Sequence, residues 1–231
     1  TDENGAALLR ERALGRGRML TTPVELTTTA MPALLAPDFP EHLLDLMSVR
    51  ATPPDRALAD RAALVDLCNR RGIPAPRPTD KHFHIAFGTT QLRWEQHSEF
   101  NTYTFELPAE PDQAPFHPAA SALGSPMTLV PQPGPLLVAI DLHLMADRPD
   151  RLAVERHFAR PSLAVAENSD GTAVYATDFL TDADGFVRIL VLDRGLGAER
   201  AGALVQRLLE LETYRTFALL GLPKAQELAP S

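Results

Sequence analysis

The chain has a single cysteine, only two lysines and no long apolar run, and each scarcity excludes a class of protein. Cys68 cannot form an internal disulfide, which fits a reducing compartment. Within Leu64-Val65-Asp66-Leu67-Cys68 it falls on the apolar side of an expected helix, as a buried inert thiol does. Lys81 and Lys224 are the only lysines, and 22 basic against 30 acidic residues leave a formal charge of -8. A general nucleic-acid binder needs a basic stripe, so that class is set aside. No stretch approaches the ~20 apolar residues that span a bilayer, and no charged-then-apolar leader opens the chain, so it reads as soluble as given. It starts at Thr1 rather than Met, as a processed product or a piece of a longer protein does. There is no serine in a nucleophile-elbow setting and no glycine-rich phosphate loop, so hydrolase and nucleotide-binding readings lack their anchors.

What is present suffices for a core: 231 residues, 45% of them hydrophobic. Residues 1–30 read as weakly ordered, Ala6 to Leu14 being a short helix candidate bracketed by Gly5, Gly15 and Gly17. Pro32, Pro37 and Pro40 make an extended connector into a strand at His42 to Val49. Pro53 and Pro54 then mark the start of a helix over 54–71. Residues 108–135 form a long irregular excursion, with one helical turn expected at Ala119 to Leu123. Leu136 to Leu144 reads as a buried strand and Asp147 to Phe158 as a short helix. Further strands are expected at Leu163 to Ala166, Ala173 to Phe179 and Phe186 to Leu192, joined by turns at Asp170-Gly171 and Asp182 to Gly185. After Gly197, Ala201, Leu204, Leu208, Leu211 and Ala218, widened by Val205, Leu209, Phe217 and Leu220, form the stripe of a helix that Pro223 should stop. The fold expected is α+β, a single domain over 31–231 with a mainly antiparallel sheet. It has two βαββ-like halves, 41–107 and 135–222, and helices 54–71 and 198–221 packed on one face.

The most informative stretch is Lys81 to Glu106, whose alternation around Gly88-Thr89-Thr90 describes a hairpin. Only an even loop buries Phe83, Ile85, Phe87, Leu92 and Trp94 together, so that register is expected, with this aromatic side beneath the C-terminal helix. His82, His84, Arg93, Glu95 and His97 then share the other face. Three imidazoles and a carboxylate suit a divalent metal such as zinc, so His82, His84, Glu95 and His97, with Glu99 nearby, are the candidate ligands. Alternation already accounts for each of them, and His-x-His is unspecific, so a solvated sheet face without a cofactor is the favoured reading. Asp182-Ala183-Asp184-Gly185 lacks the later ligands of a calcium loop and reads as a hairpin turn. Glu210, Glu212, Tyr214 and Arg215 lie on the last helix as a solvated face, with Glu212 and Arg215 spaced to pair. Asp141, His143 and His157 are the remaining residues that could share a cleft.

Three stretches carry a resemblance: LRWEQHSEFNTYTFE at Leu92 to Glu106, ATDFLTDADGFVRILVLD at Ala176 to Asp193, and RAGALVQRLLELETYRTFALLGLP at Arg200 to Pro223. Over Glu25 to Ser231 the chain resembles a bacterial family of uncharacterised membrane-anchored proteins, catalogued as a domain of unknown function. The resemblance implies a soluble portion that continues through a coiled-coil-like segment to membrane helices, on the cytoplasmic side of the inner membrane. Relatives carry Glu-Leu-His-Ala-Arg-Pro near their start, where this chain has Glu25-Leu26-Thr27-Thr28-Thr29-Ala30 without the His or Arg. Any binding by that stretch is therefore expected to be altered here. The overall layout also resembles CorA-type magnesium channels, by analogy of arrangement alone. The expected role is a non-enzymatic sensing or assembly module, whose partner is a second copy or a membrane protein met through the C-terminal helix. The alternative is a metal-binding domain or metal-dependent enzyme using the hairpin histidines.

Overall fold

A computed structural model describes residues 10–14, 17–22, 43–51, 57–108, 113–117, 130–147 and 154–228. In chain order the strands are β1 (Arg10–Leu14), β2 (Gly17–Thr22) and β3 (Leu43–Ala51), followed by helix α1 (Ala57–Arg71). Next come β4 (His82–Phe87), β5 (Thr90–Gln96), β6 (Phe100–Pro108) and β7 (Leu136–Ala146). After two short 3-10 turns, β8 (Ala164–Asn168), β9 (Ala173–Thr181), β10 (Phe186–Asp193) and helix α2 (Ala198–Leu228) complete the fold. The ten strands of the described residues form one sheet, ordered β1-β2-β8-β9-β10-β7-β3-β6-β5-β4. Neighbours are antiparallel except β2 with β8 and β10 with β7, so the fold is a mainly antiparallel α+β sheet.

Two units are visible in that order, β3-β6-β5-β4 and β7-β10-β9-β8, each a strand flanked by the last strand of a three-stranded meander. Each carries one strand more than a βαββ unit. The return is antiparallel in the first and parallel in the second, so the halves are not superposable copies. Between β7 and β8 the described residues hold only the 3-10 turns at Val154–Arg156 and Arg160–Ser162, while 148–153 of the helix expected there lie outside them. The expected helical turn at 119–123 and the connector at 32–40 also lie outside. Residues 10–14 of the expected first helix are a strand, because pairing with β2 outweighs weak helical propensity.

The helices sit on opposite faces of the sheet, not on one. Pairing of Ser48 with Tyr103 and of Met47 with Thr104 fixes which residues share a side. Met47, Val49, Ile140, Leu142, Val187 and Ile189 pack beneath Ala201, Leu204, Val205, Leu208 and Leu209 of α2. On the reverse face Leu92, Trp94, Tyr103 and Phe105 pack beneath Leu64, Leu67 and Cys68 of α1, and the Cys68 thiol is buried as expected. Farther along that second face, Phe116, Phe158 and Leu163 cover Met145, Val165, Leu190 and Leu192. Helical periodicity identifies an apolar stripe but not which side of a shared sheet receives it. Pro223 does not stop α2, which continues to Leu228; a proline removes one backbone donor, and a long helix can run on around that loss. None of the described helices is long and apolar enough to cross a membrane.

Candidate functional site

The β4–β5 hairpin has the expected even register. Phe87 pairs with Thr90 across the two-residue turn Gly88-Thr89, and Gly88 takes a left-handed φ of 62°. Phe83 then lies opposite Trp94 and Ile85 opposite Leu92, which places all five apolar side chains together. His82 lies opposite Glu95 and His84 opposite Arg93 on the other face.

Along β5 and β6 that polar face is covered by α2, while His82 and His84 of β4 remain exposed. Arg93, Glu95, Thr102 and Thr104 are all buried. Met47, Arg93, Glu95, His97, Phe100 and Thr102 line the sheet side of a cleft of about 40 Å³, and Gln206, Leu209, Glu210, Thr213 and Tyr214 line its helix side. Glu95 accepts a hydrogen bond from the Thr102 hydroxyl at 3.2 Å and lies 3.3 Å from His82 Nδ1. His97 lies past the end of β5 and stacks on Phe100, with ring centroids 4.3 Å apart and planes at 23°. Phe100 in turn meets Phe217 of α2 at 4.9 Å. His84 and Glu99 are exposed, the latter accepting a hydrogen bond from Ser98. The structure thus brings together His82 and Glu95 of the four candidate ligands. Among the described residues no three His, Cys, Asp or Glu side chains converge in a metal-binding arrangement.

Sequence reasoning missed the other half of this cleft. Arg93 read as one member of a solvated face, and nothing in local pattern ties Gln206 or Glu210 to the hairpin. The expected Glu212–Arg215 pair forms at 2.5 Å, but Glu212 is only 2% exposed and is not part of a solvated face. Arg215 also lies 5.1 Å from the ring of Phe179. Alternation along β5, which puts Arg93 and Glu95 on one side, was the available signal.

A second polar cluster lies on the opposite face of the sheet. Asp141 Oδ1 and His143 Nε2 are 3.0 Å apart and both buried, yet neither makes a directional hydrogen bond. The Phe116 ring meets His143 at 4.8 Å and His157 at 6.4 Å, so the two histidines lie around one aromatic side chain and Asp141 adjoins it through His143. Arg188, opposite Asp141 in register, stacks 5.5 Å from Phe116 and 5.6 Å from Phe158. Asp178 lies 3.6 Å from Arg188 and accepts the Ala159 and Leu180 amides, at a bulge where Phe179 takes a φ of 59°. This cluster ties the irregular segments around Phe116 and Ala159 to the sheet.

Burial lowers the pKa of His97, helped by His82, while Glu95, Glu210 and Glu99 oppose the shift. Partial loss of hydration likewise lowers His84, helped by Arg93, and His157. A histidine less basic when folded is protonated first in the unfolded chain, so stability is intact above the unfolded value of about 6.5 and declines as pH falls below it. Urea midpoints at about pH 7.5 and 5.5 should therefore fall with acidification in the parent and fall less in His97→Gln. An unchanged slope would show that the ring's environment does not bias its titration.

No curated protein and no solved structure matches the chain. The profile described as "Protein of unknown function (DUF3422)" matches residues 25–231, which include the hairpin, the cleft and α2. The cleft that joins the β5–β6 ribbon to α2 is therefore a feature of a chain that belongs to the DUF3422 family, whose function is unknown.

Proposed function

We propose that this domain is a non-enzymatic sensing or assembly module of a membrane-anchored protein, working on the cytoplasmic side, with α2 as its output and a second copy of the chain as its partner. The observation that carries the reading is the division of α2 into two parts. From Ala201 to Leu209 its apolar side chains are buried on the sheet. Farther along, Leu211, Tyr214, Leu219 and Leu220 are 51–59% exposed. Leu211 and Ala218 belong to the stripe that periodicity assigned to the core, yet both are exposed. Leu211, Tyr214 and Ala218 follow the i, i+3, i+7 spacing of a coiled-coil seam, which an identical helix complements. The coiled-coil continuation implied by the family resemblance agrees with that choice of partner.

Light scattering after size-exclusion chromatography tests it. The parent should show concentration-dependent dimerisation, and Leu211→Glu with Ala218→Glu should weaken it at least about tenfold, because a buried leucine contributes about 1.5–3 kcal/mol. A parent chain that stays monomeric up to on the order of 1 mM would remove self-association as the role.

A further inference from the structure

The exposed seam of α2 has charged borders. Leu211 and Ala218 begin successive heptads, with Tyr214 the fourth residue of the first. Glu210 immediately precedes that seam and Arg215 follows Tyr214, so the two flank it on opposite sides. Glu212 and Thr213 fall on the far side of the helix and are buried there. The domain and a partner helix would therefore hold opposite faces of α2. Arg207, one turn before Leu211, has a charged side chain 62% exposed, so the seam opens at Leu211.

Arg215 is held in place before any partner arrives. Its Nε donates to Glu212 Oε2 at 2.8 Å and its Nη2 to Glu212 Oε1 at 2.5 Å, and the guanidinium lies 5.1 Å from the ring of Phe179. Neither bond uses Nη1, and the side chain keeps 30% exposure. Glu210 keeps 37%, with Gln206 Nε2 donating to its Oε1 at 3.0 Å and Arg207 lying 3.5 Å from its Oε2. A side chain already fixed loses little rotamer freedom when it pairs.

The two flanking charges distinguish the ways in which a second α2 can lie on the first. In an antiparallel pair like flanks meet, which sets Glu210 beside the partner's Glu210 and Arg215 beside the partner's Arg215. In a parallel, in-register pair opposite flanks meet, and the residue before the seam on one helix faces the residue five places later on the other. Glu210 and Arg215 are five places apart, so both contacts related by the two-fold axis join opposite charges.

We propose that Glu210 and Arg215 select the partner of α2, a second copy in parallel register joined by two Glu210–Arg215 contacts. The inference rests on the reading of α2 as a self-association surface, and adds its orientation and the residues that specify it. A parallel pair brings the C-terminal ends of both helices to the same side.

Mixing charge-reversed chains tests the pair. Glu210→Arg alone and Arg215→Glu alone should each dimerise at least about tenfold more weakly than the parent, because each homodimer sets like charges at both contacts. An equimolar mixture should recover the parent's affinity to within about threefold, since both contacts then join opposite charges. Should Arg215→Glu unfold by setting a second carboxylate beside the buried Glu212, Arg215→Gln takes its place, and should bind Glu210→Arg more tightly than that chain binds itself. Cysteine cross-linking reads the orientation without altering either charge, and the buried Cys68 does not compete. Leu211→Cys and Ala218→Cys should each form a disulfide with its own copy, at concentrations where light scattering shows the variant to be dimeric. Antiparallel pairing brings at most one of these positions opposite itself, because they stand about 10 Å apart along the helix. Failure of either position to cross-link would overturn the parallel register. Folded charge-reversed chains that dimerise as tightly as the parent, or that recover nothing on mixing, would overturn the role of the pair. A monomeric parent would remove the self-association reading and this inference with it, whereas a dimeric parent that fails either arm would remove this inference alone.

Discussion

Trp94→Ala should lower the unfolding free energy by about 3–5 kcal/mol, the range for truncating a large buried aromatic. Trp94 is fully buried on β5, between Phe83 on β4 and Tyr103 on β6, within the cluster that receives Leu64, Leu67 and Cys68 of α1. Arg61 of α1 lies 5.3 Å from the ring and also donates to the carbonyls of Arg77 and Asp80 and to Gln96 Oε1. The indole therefore sits where helix, linker and hairpin are fastened together. The loss comes chiefly from packing and the guanidinium contact. Trp94→Phe should accordingly keep more than half of the lost stability, because the phenyl ring refills most of the space that alanine leaves empty. Urea unfolding with an unchanged m-value measures both. A loss under about 1 kcal/mol for the alanine variant would show that this cluster can collapse around the gap. Arg93 and Glu95 flank the indole in sequence and point the other way, so the truncation should also loosen the cleft.

The hairpin was legible because its requirements agree: only one loop parity gathers five apolar side chains on one side, and Phe87 pairing with Thr90 shows that parity in place. The turn at Asp182 was legible for a local reason, its carboxylate accepting the amides of Asp184 and Phe186 at 2.9 Å. The covering of the polar face was not. A strand pattern marks Arg93, Glu95, Thr102 and Thr104 as facing away from the aromatic core, and the usual consequence is solvent. Here Gln206, Glu210 and Thr213 cover them, so polar residues of the helix pack on polar residues of the sheet. Leu211 shows the converse, an apolar position on the expected stripe that the sheet never reaches. Phe116, Asp178 and Arg188 escaped notice because a bulge and two left-handed aromatic residues bring them together, and neither has a local sequence signature.

Gly134→Ala should cost about 2–4 kcal/mol, from two penalties that act together. Gly134 leads into β7 with a φ of 90°, a conformation that an L side chain resists by about 1–2 kcal/mol. A methyl group there would also stand 2.3 Å from the carbonyl oxygen of Ala51 and 3.5 Å from its carbonyl carbon. That neighbour is β3 backbone and cannot rotate aside. Relief requires the strands to part where the Ala51 amide donates to the Pro135 carbonyl at 3.0 Å, weakening a bond whose net value is about 1 kcal/mol. Gly88→Ala separates the two effects, since its φ of 62° carries the conformational cost while nothing lies within 4 Å of the added carbon. It should lose only about 1–2 kcal/mol. Equal losses in the two variants would show that β3 yields without resistance at Ala51. The strands that Gly134 holds together carry Met47, Val49, Ile140 and Leu142 beneath α2. Amide exchange in Gly134→Ala should therefore quicken in β3, β7 and the buried part of α2 before it quickens in β4, which stands three strands away from β3 at the edge of the sheet.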